Sequence, residues 1–177
     1  MPLNKDSHLN ASELKELTTL LSTRRDRDAL IVELLLFTGA RQEEISQTIG
    51  SDINLADKMI FIRGAKGSDS RELPLTDSLA KRLKSYLGEN RIGSNDLLFP
   101  ISTRRFRQIW QNFRLGDKSL HKLRHTFAIE LFKRHRDIRL VQFALGHRNI
   151  NNTLVYSSYV YKVEELKKLF VGGVYGS

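Results

Sequence analysis

One stretch interrupts an otherwise helical pattern and so limits the folds open to this chain. Residues 58–63 hold Met59, Ile60, Phe61 and Ile62 in a compact apolar run, which suits a strand. Residues 70–75 suit its antiparallel partner, and the Gly-rich residues 64–69 the turn between them. On either side the spacing is helical. Asn10 reads as an N-cap with Glu13 three residues on, a capping-box pattern, and Leu14, Leu17 and Leu21 follow on one face. Helices are expected over residues 25–38 ending at Gly39, over 41–48 before Gly50, and over 77–87. Another over 103–113 buries Phe106, Ile109, Trp110 and Phe113 and exposes Arg104, Arg105 and Arg107. Ser119 reads as the cap of a helix reaching His135. Residues 138–145, stopped by Gly146, then 151–159 and 164–170 complete the helical set, and 97–99 read as a third short strand. The expected fold is mainly α with a small three-stranded antiparallel sheet.

At 177 residues the chain is long enough for one domain with its own core. No apolar run approaches the ~20 residues needed to cross a membrane, and the first ten residues lack the pattern of a signal peptide. An intracellular, cytoplasmic location is therefore expected. The chain has no cysteine, which removes disulfides, Cys-based zinc sites and thiol nucleophiles. Twenty-nine Lys and Arg against 20 Asp and Glu give a formal charge of +9. Such an excess favours a polyanion, because each cation that neutralises a phosphate releases condensed counterions. It fits a merely basic, soluble protein equally well.

Four clusters carry residue types suited to chemistry on an anion. His121 and Arg124 sit three apart at an expected helix start and share a face. Arg offers a planar fork matched to phosphate oxygens, and His can share a proton. His121 and His125 have a two-ligand zinc spacing, but Lys122 stands where a metalloprotease helix needs Glu, so a metal site is not expected. Arg41 opens a helix after Gly39, with Glu44 one turn on to orient it. Lys66 occupies the tip of the expected hairpin turn. His147 follows the Leu145-Gly146 helix stop, and Tyr156 comes nine residues later. A phenol is a poor nucleophile at its ordinary pKa of about 10; cationic neighbours are expected to lower it. Each cluster alone also fits a solvated surface residue, and Tyr156 alone fits a core or surface tyrosine.

Their order and context resemble the tyrosine recombinases, also called the phage integrase family. FTGARQEEI resembles that family's first-arginine box, GAKGSDSRELPL its hairpin lysine segment, HKLRHTFA its His-x-x-Arg-His box, and LGHRNINNTLVY its final box with the nucleophilic tyrosine. The resemblance runs from about Asn10 to Phe170. It implies a catalytic domain over residues 1–170, and the GGVYGS ending reads as a flexible tail at 171–177. It also implies a site-specific recombinase or integrase that cuts and rejoins double-stranded DNA through a 3′-phosphotyrosyl link to Tyr156. By the same resemblance Arg41 and Arg124 clamp the scissile phosphate and His121 assists proton transfer at Tyr156. Lys66 is the general acid, His147 binds a non-bridging oxygen, and Glu44 supports Arg41. No ATP, metal or other cofactor is implied. Arg104, Arg105 and Arg107 are expected to contact DNA. Members of the family act as tetramers on two DNA sites, and residues 163–170 have the apolar spacing to dock on a neighbouring subunit or on their own domain. The family's usual N-terminal core-binding domain is expected to be absent, which suits an excised fragment or a short recombinase. Two other readings stay open: a type IB topoisomerase, and a DNA-binding regulator without activity. Tyr159 and Tyr161 are minor rivals as nucleophile.

Overall fold

The computed structural model describes residues 7–65 and 67–157. Asn10 caps α1 (Ala11–Thr23), its side chain accepting from the Glu13 N–H at 3.0 Å while the Glu13 carboxylate accepts from the Asn10 N–H at 2.7 Å. Such a reciprocal cap contributes about 1 kcal/mol. Asp26 caps α2 (Arg27–Thr38), and Gly39 ends it in the left-handed conformation. Helix α2 is apolar nearly all round, with Ala29 to Leu36 and Thr38 buried, as expected of a helix at the centre of a fold. It packs against α1, α3 (Gln42–Ser46), α4 (Asp77–Glu89), α5 (Thr103–Gln111) and α6 (His121–His135). Inside that packing Glu33 of α2 forms an ion pair with Arg82 of α4.

The sheet order is β1-β2-β3, all antiparallel: β1 (Ile53–Asn54), β2 (Met59–Ile62) and β3 (Arg71–Pro74). Ile60 and Ile62 of β2 and Leu73 of β3 turn into the core. The third strand is not residues 97–99, as the sequence suggests, but β1. Leu98 and Phe99 do reach the core, yet that segment's backbone makes only one bridge, Leu97 to Ile49. Its apolar side chains mark burial rather than sheet pairing.

Helix α6 starts at His121 after Leu120, with no side-chain cap. Ser119 contributes its backbone carbonyl, which accepts from Lys122 N–H at 3.0 Å, and not the expected hydroxyl cap. The chain closes with α7 (Ile138–Leu145), ended by a left-handed Gly146, and α8 (Asn151–Leu154). Helix α8 stops short of the expected residue 159, and the expected helix at 164–170 lies outside the described residues. A second apolar cluster, Ala128, Ile129, Phe132, Val141, Leu145 and Tyr156, joins α6, α7 and the end of α8. Among the described residues no helix is long and apolar enough to cross a membrane.

Candidate active site

The site is assembled where the ends of four helices, α2, α3, α6 and α7, meet the β2–β3 hairpin. Arg124, one turn into α6, is only 3% exposed. Its guanidinium donates to the Gly39 carbonyl at 2.6 Å and to the Leu145 carbonyl at 2.8 Å. These carbonyls close α2 and α7, where unpaired acceptors and the helix dipoles favour a cation. Gly39 is needed there twice over. Its φ is +61°, and a Cβ would lie 2.3 Å from the Phe127 ring.

Glu44 of α3 lies beneath, with no exposed surface. It accepts from the Arg41 N–H at 2.8 Å, from Ser68 Oγ at 2.8 Å, and from both terminal nitrogens of Arg71 at 2.9 and 3.2 Å. The Arg41 guanidinium stands 3.4 Å from it and that of Arg124 3.9 Å. Burial raises its pKa, but the Arg71 bonds and charge with the Arg41 and Ser68 bonds outweigh that and bring it to about 2. Arg71 also donates to the Ala144 carbonyl at 2.8 Å, so one buried guanidinium fastens β3 to α3 and α7. Three arginines surround one carboxylate, and the surplus charge suits an anion. Arg41 keeps 28% of its side chain exposed and can supply donors to a ligand.

Arg41, His121 and Arg124 line one cleft of about 390 Å³, with Arg107, Arg114 and Lys118 around it. Burial of the ring first, then the charges of Arg124 and Arg41, lower the pKa of His121, although part of the residue is exposed. His147 lies off this cleft, beside a smaller recess lined by Asp69, Arg139 and Gly146. Its Nδ1 pairs with Thr153 Oγ1 at 2.9 Å, and burial with the charges of Arg124 and Arg41 brings its pKa to about 4. The hairpin meets this turn directly: Asp69 N–H donates to the Gly146 carbonyl at 2.9 Å, and Ser68 bridges His147.

Tyr156 is 2% exposed, and its hydroxyl is 2.9 Å from His125 Nδ1. Arg124 and Arg41 act on the phenol as the sequence suggests, but burial outweighs them and its pKa is raised, not lowered. The phenol is therefore not ionised in advance. Lys66 lies outside the described residues. Of the three α5 arginines only Arg107 lines the cleft; Arg105 approaches Asp28 at 4.0 Å, and Arg104 is exposed elsewhere. Sequence reasoning gave no role to Arg71, Ser68, Thr153 or His125. Two of these left a signal: Arg71 as a charged residue in phase with Leu73 and Leu75 on the buried face of its strand, and His125 as the last residue of the His-x-x-Arg-His box. Among the described residues no cluster of three or more His, Asp or Glu could hold a metal.

These features define a helical domain with an arginine- and histidine-lined anion cleft and a tyrosine held close by. The phage integrase family model matches residues 7–162. Tyrosine recombinase XerA of Thermococcus kodakarensis is 34% identical over 95% of this chain and 63% of its own length, and a tyrosine recombinase of Pseudothermotoga lettingae is 32% identical over 92% and 60%. The crystal structure of XerA recombinase superposes with a TM-score of 0.73 at 29% identity, covering 93% of this chain and 64% of that one. XerH recombinase, in a pre-cleavage complex with its difH substrate, gives 0.68 at 28% identity, covering 93% and 52%. The chain belongs to the phage integrase family, the tyrosine recombinases. It spans less than two thirds of the length of these curated relatives.

Proposed function

We propose that this chain is the catalytic domain of a site-specific DNA recombinase, which cleaves and rejoins double-stranded DNA through a 3′-phosphotyrosyl bond at Tyr156. The observation that carries this reading is the convergence of Arg41, Arg124 and His121 on one cleft, with the Tyr156 hydroxyl inside the field of both arginines. Arg41 and Arg124 hold the scissile phosphate and stabilise the charge of the pentavalent transition state. His121 hydrogen-bonds the phosphate and assists proton transfer. His147 binds a non-bridging oxygen, Lys66 protonates the leaving 5′-oxygen, and Glu44 keeps Arg41 in place. The Tyr156 oxygen bonds to phosphorus as the 5′-oxygen leaves; a 5′-hydroxyl of the partner strand later reverses the step. The phosphodiester bond energy stays in the protein–DNA link, so the exchange needs no ATP or metal.

The same reading makes the protein DNA-associated in the cytoplasm. It serves integration, excision or inversion as a homotetramer on two sites, with residues 163–170 docking on a neighbour. The test is a suicide DNA substrate, with supercoiled plasmid alongside. A covalent adduct on a denaturing gel is expected with the wild-type chain and not with Tyr156→Phe. Persistence in Tyr156→Phe would move the nucleophile to Tyr159 or Tyr161, and binding without any adduct would favour a regulator. A native gel of the same reactions reads the size of the assembly.

A further inference from the structure

The candidate nucleophile is held by a histidine to which the reading above gives no task. His125 follows Arg124 in α6 and sits one turn beyond His121. Its Nδ1 is 2.9 Å from Tyr156 Oη, and the two rings lie 5.7 Å apart between centroids. His121 braces the His125 ring edge to face at 4.6 Å. Tyr156 is otherwise part of an apolar cluster with Ala128, Ile129, Phe132, Val141 and Leu145, none of which offers a side-chain polar atom. Among the described residues the direction of the hydroxyl therefore depends on one imidazole, itself held in place by a second.

We propose that His125 is the positioning residue that fixes the Tyr156 hydroxyl for attack on the scissile phosphate. This rests on the reading of Tyr156 as nucleophile. Attack in line with the leaving oxygen demands placement to within a fraction of an ångström, and an error of ~1 Å can slow a reaction ~100-fold. Burial, with His121, Lys122, Arg124 and His8 around it, brings His125 to about 4, so the ring is neutral near neutral pH. A neutral imidazole carries one N–H and one acceptor nitrogen. With the proton on Nε2, Nδ1 accepts the phenolic hydrogen and leaves the oxygen lone pairs free to face phosphorus. His125 holds the hydroxyl in place, and His121 keeps the phosphate contact and the assistance to proton transfer proposed above.

The experiment is single-turnover adduct formation on the suicide substrate, with DNA affinity and thermal unfolding measured in parallel. His125→Ala is expected to slow adduct formation about 10- to 100-fold with DNA affinity unchanged. His125→Asn, which can set an acceptor oxygen near the position of Nδ1, is expected to recover most of the rate. His125→Gln, whose polar end sits nearer Nε2, is expected to recover little. The Asn–Gln contrast serves even if the alanine variant does not fold. A merely structural histidine would give two alike variants. The proposal is overturned if His125→Ala cleaves at the wild-type rate, if its loss lies wholly in DNA affinity, or if Asn is no faster than Gln. If the wild-type adduct fails to form, or survives in Tyr156→Phe, the nucleophile reading itself falls and this proposal with it. An adduct that needs Tyr156 but is indifferent to His125 overturns this proposal alone.

Discussion

Burying a carboxylate costs several kcal/mol unless charges and hydrogen bonds replace its water. Glu44 meets that condition through Arg71, Ser68 and the Arg41 N–H, and its depressed pKa ties stability to pH. A folded value of about 2 against an ordinary 4.5 means the unfolded chain binds the proton first as pH falls. Its contribution is whole above pH 4.5 and lost toward pH 2, on the order of 3 kcal/mol. His125 and His147 act in the same direction in an earlier window. Each is held near 4 against an ordinary 6.5, so stability falls between pH 6.5 and 4 as the unfolded chain takes up protons that the folded chain resists. Denaturant unfolding across pH is expected to show both declines. Glu44→Gln should leave the histidine decline, shrink the one below pH 4.5, and cost about 3–5 kcal/mol at neutral pH, because three arginines lose their counter-charge. A variant as stable as wild type at pH 7 would refute the role given to Glu44. The pairing of Glu44 with Arg41 was legible in the sequence as a one-turn spacing. Its pairing with Arg71 was not, because contacts 27 residues apart follow from sheet register and helix docking rather than from local pattern.

At the scale of elements, the helix stop at Gly146 is also a point of contact. The sequence marks it as the end of α7, but nothing local says that the hairpin presses against it. With φ at +66°, an added Cβ would lie 2.6 Å from the Asp69 carbonyl oxygen and 2.8 Å from Ser68 Oγ. Gly146→Ala therefore strains the backbone and pushes the hairpin from the turn that carries His147. A loss of about 1–3 kcal/mol is expected in denaturant midpoints, with a larger loss in adduct formation than the stability change alone explains; equal rates in fully folded protein would refute the coupling. Long helices were readable because their apolar period repeats over several turns, as at Leu14, Leu17 and Leu21. The strand β1 has two residues, too few for a period of two to appear. Leu98 and Phe99 imitated a strand because full burial also produces a short apolar run. Nor could helical spacing tell which flank of α5 faces the cleft.

For the whole molecule the question is where the surplus positive charge acts. A formal +9 says that a polyanion is attracted, not along which path it lies. The cleft answers with Arg41, Arg107, Arg114 and Arg124 on one side of the fold, while Arg105 is drawn toward Asp28. If the DNA backbone follows the cleft, each phosphate contact contributes about 0.9 to the slope of log affinity against log salt concentration. Arg107→Ala and Arg114→Ala should then each reduce the slope by about 1, weaken binding similarly for all sequences, and leave the fold intact, since both side chains are exposed. Arg104→Ala and Arg105→Ala should change the slope by much less. Salt titrations of a labelled duplex with the Tyr156→Phe chain, which binds without the expected covalent step, separate these cases. Equal effects at all four arginines would mean that the DNA contacts the outer face of α5 as well as the cleft.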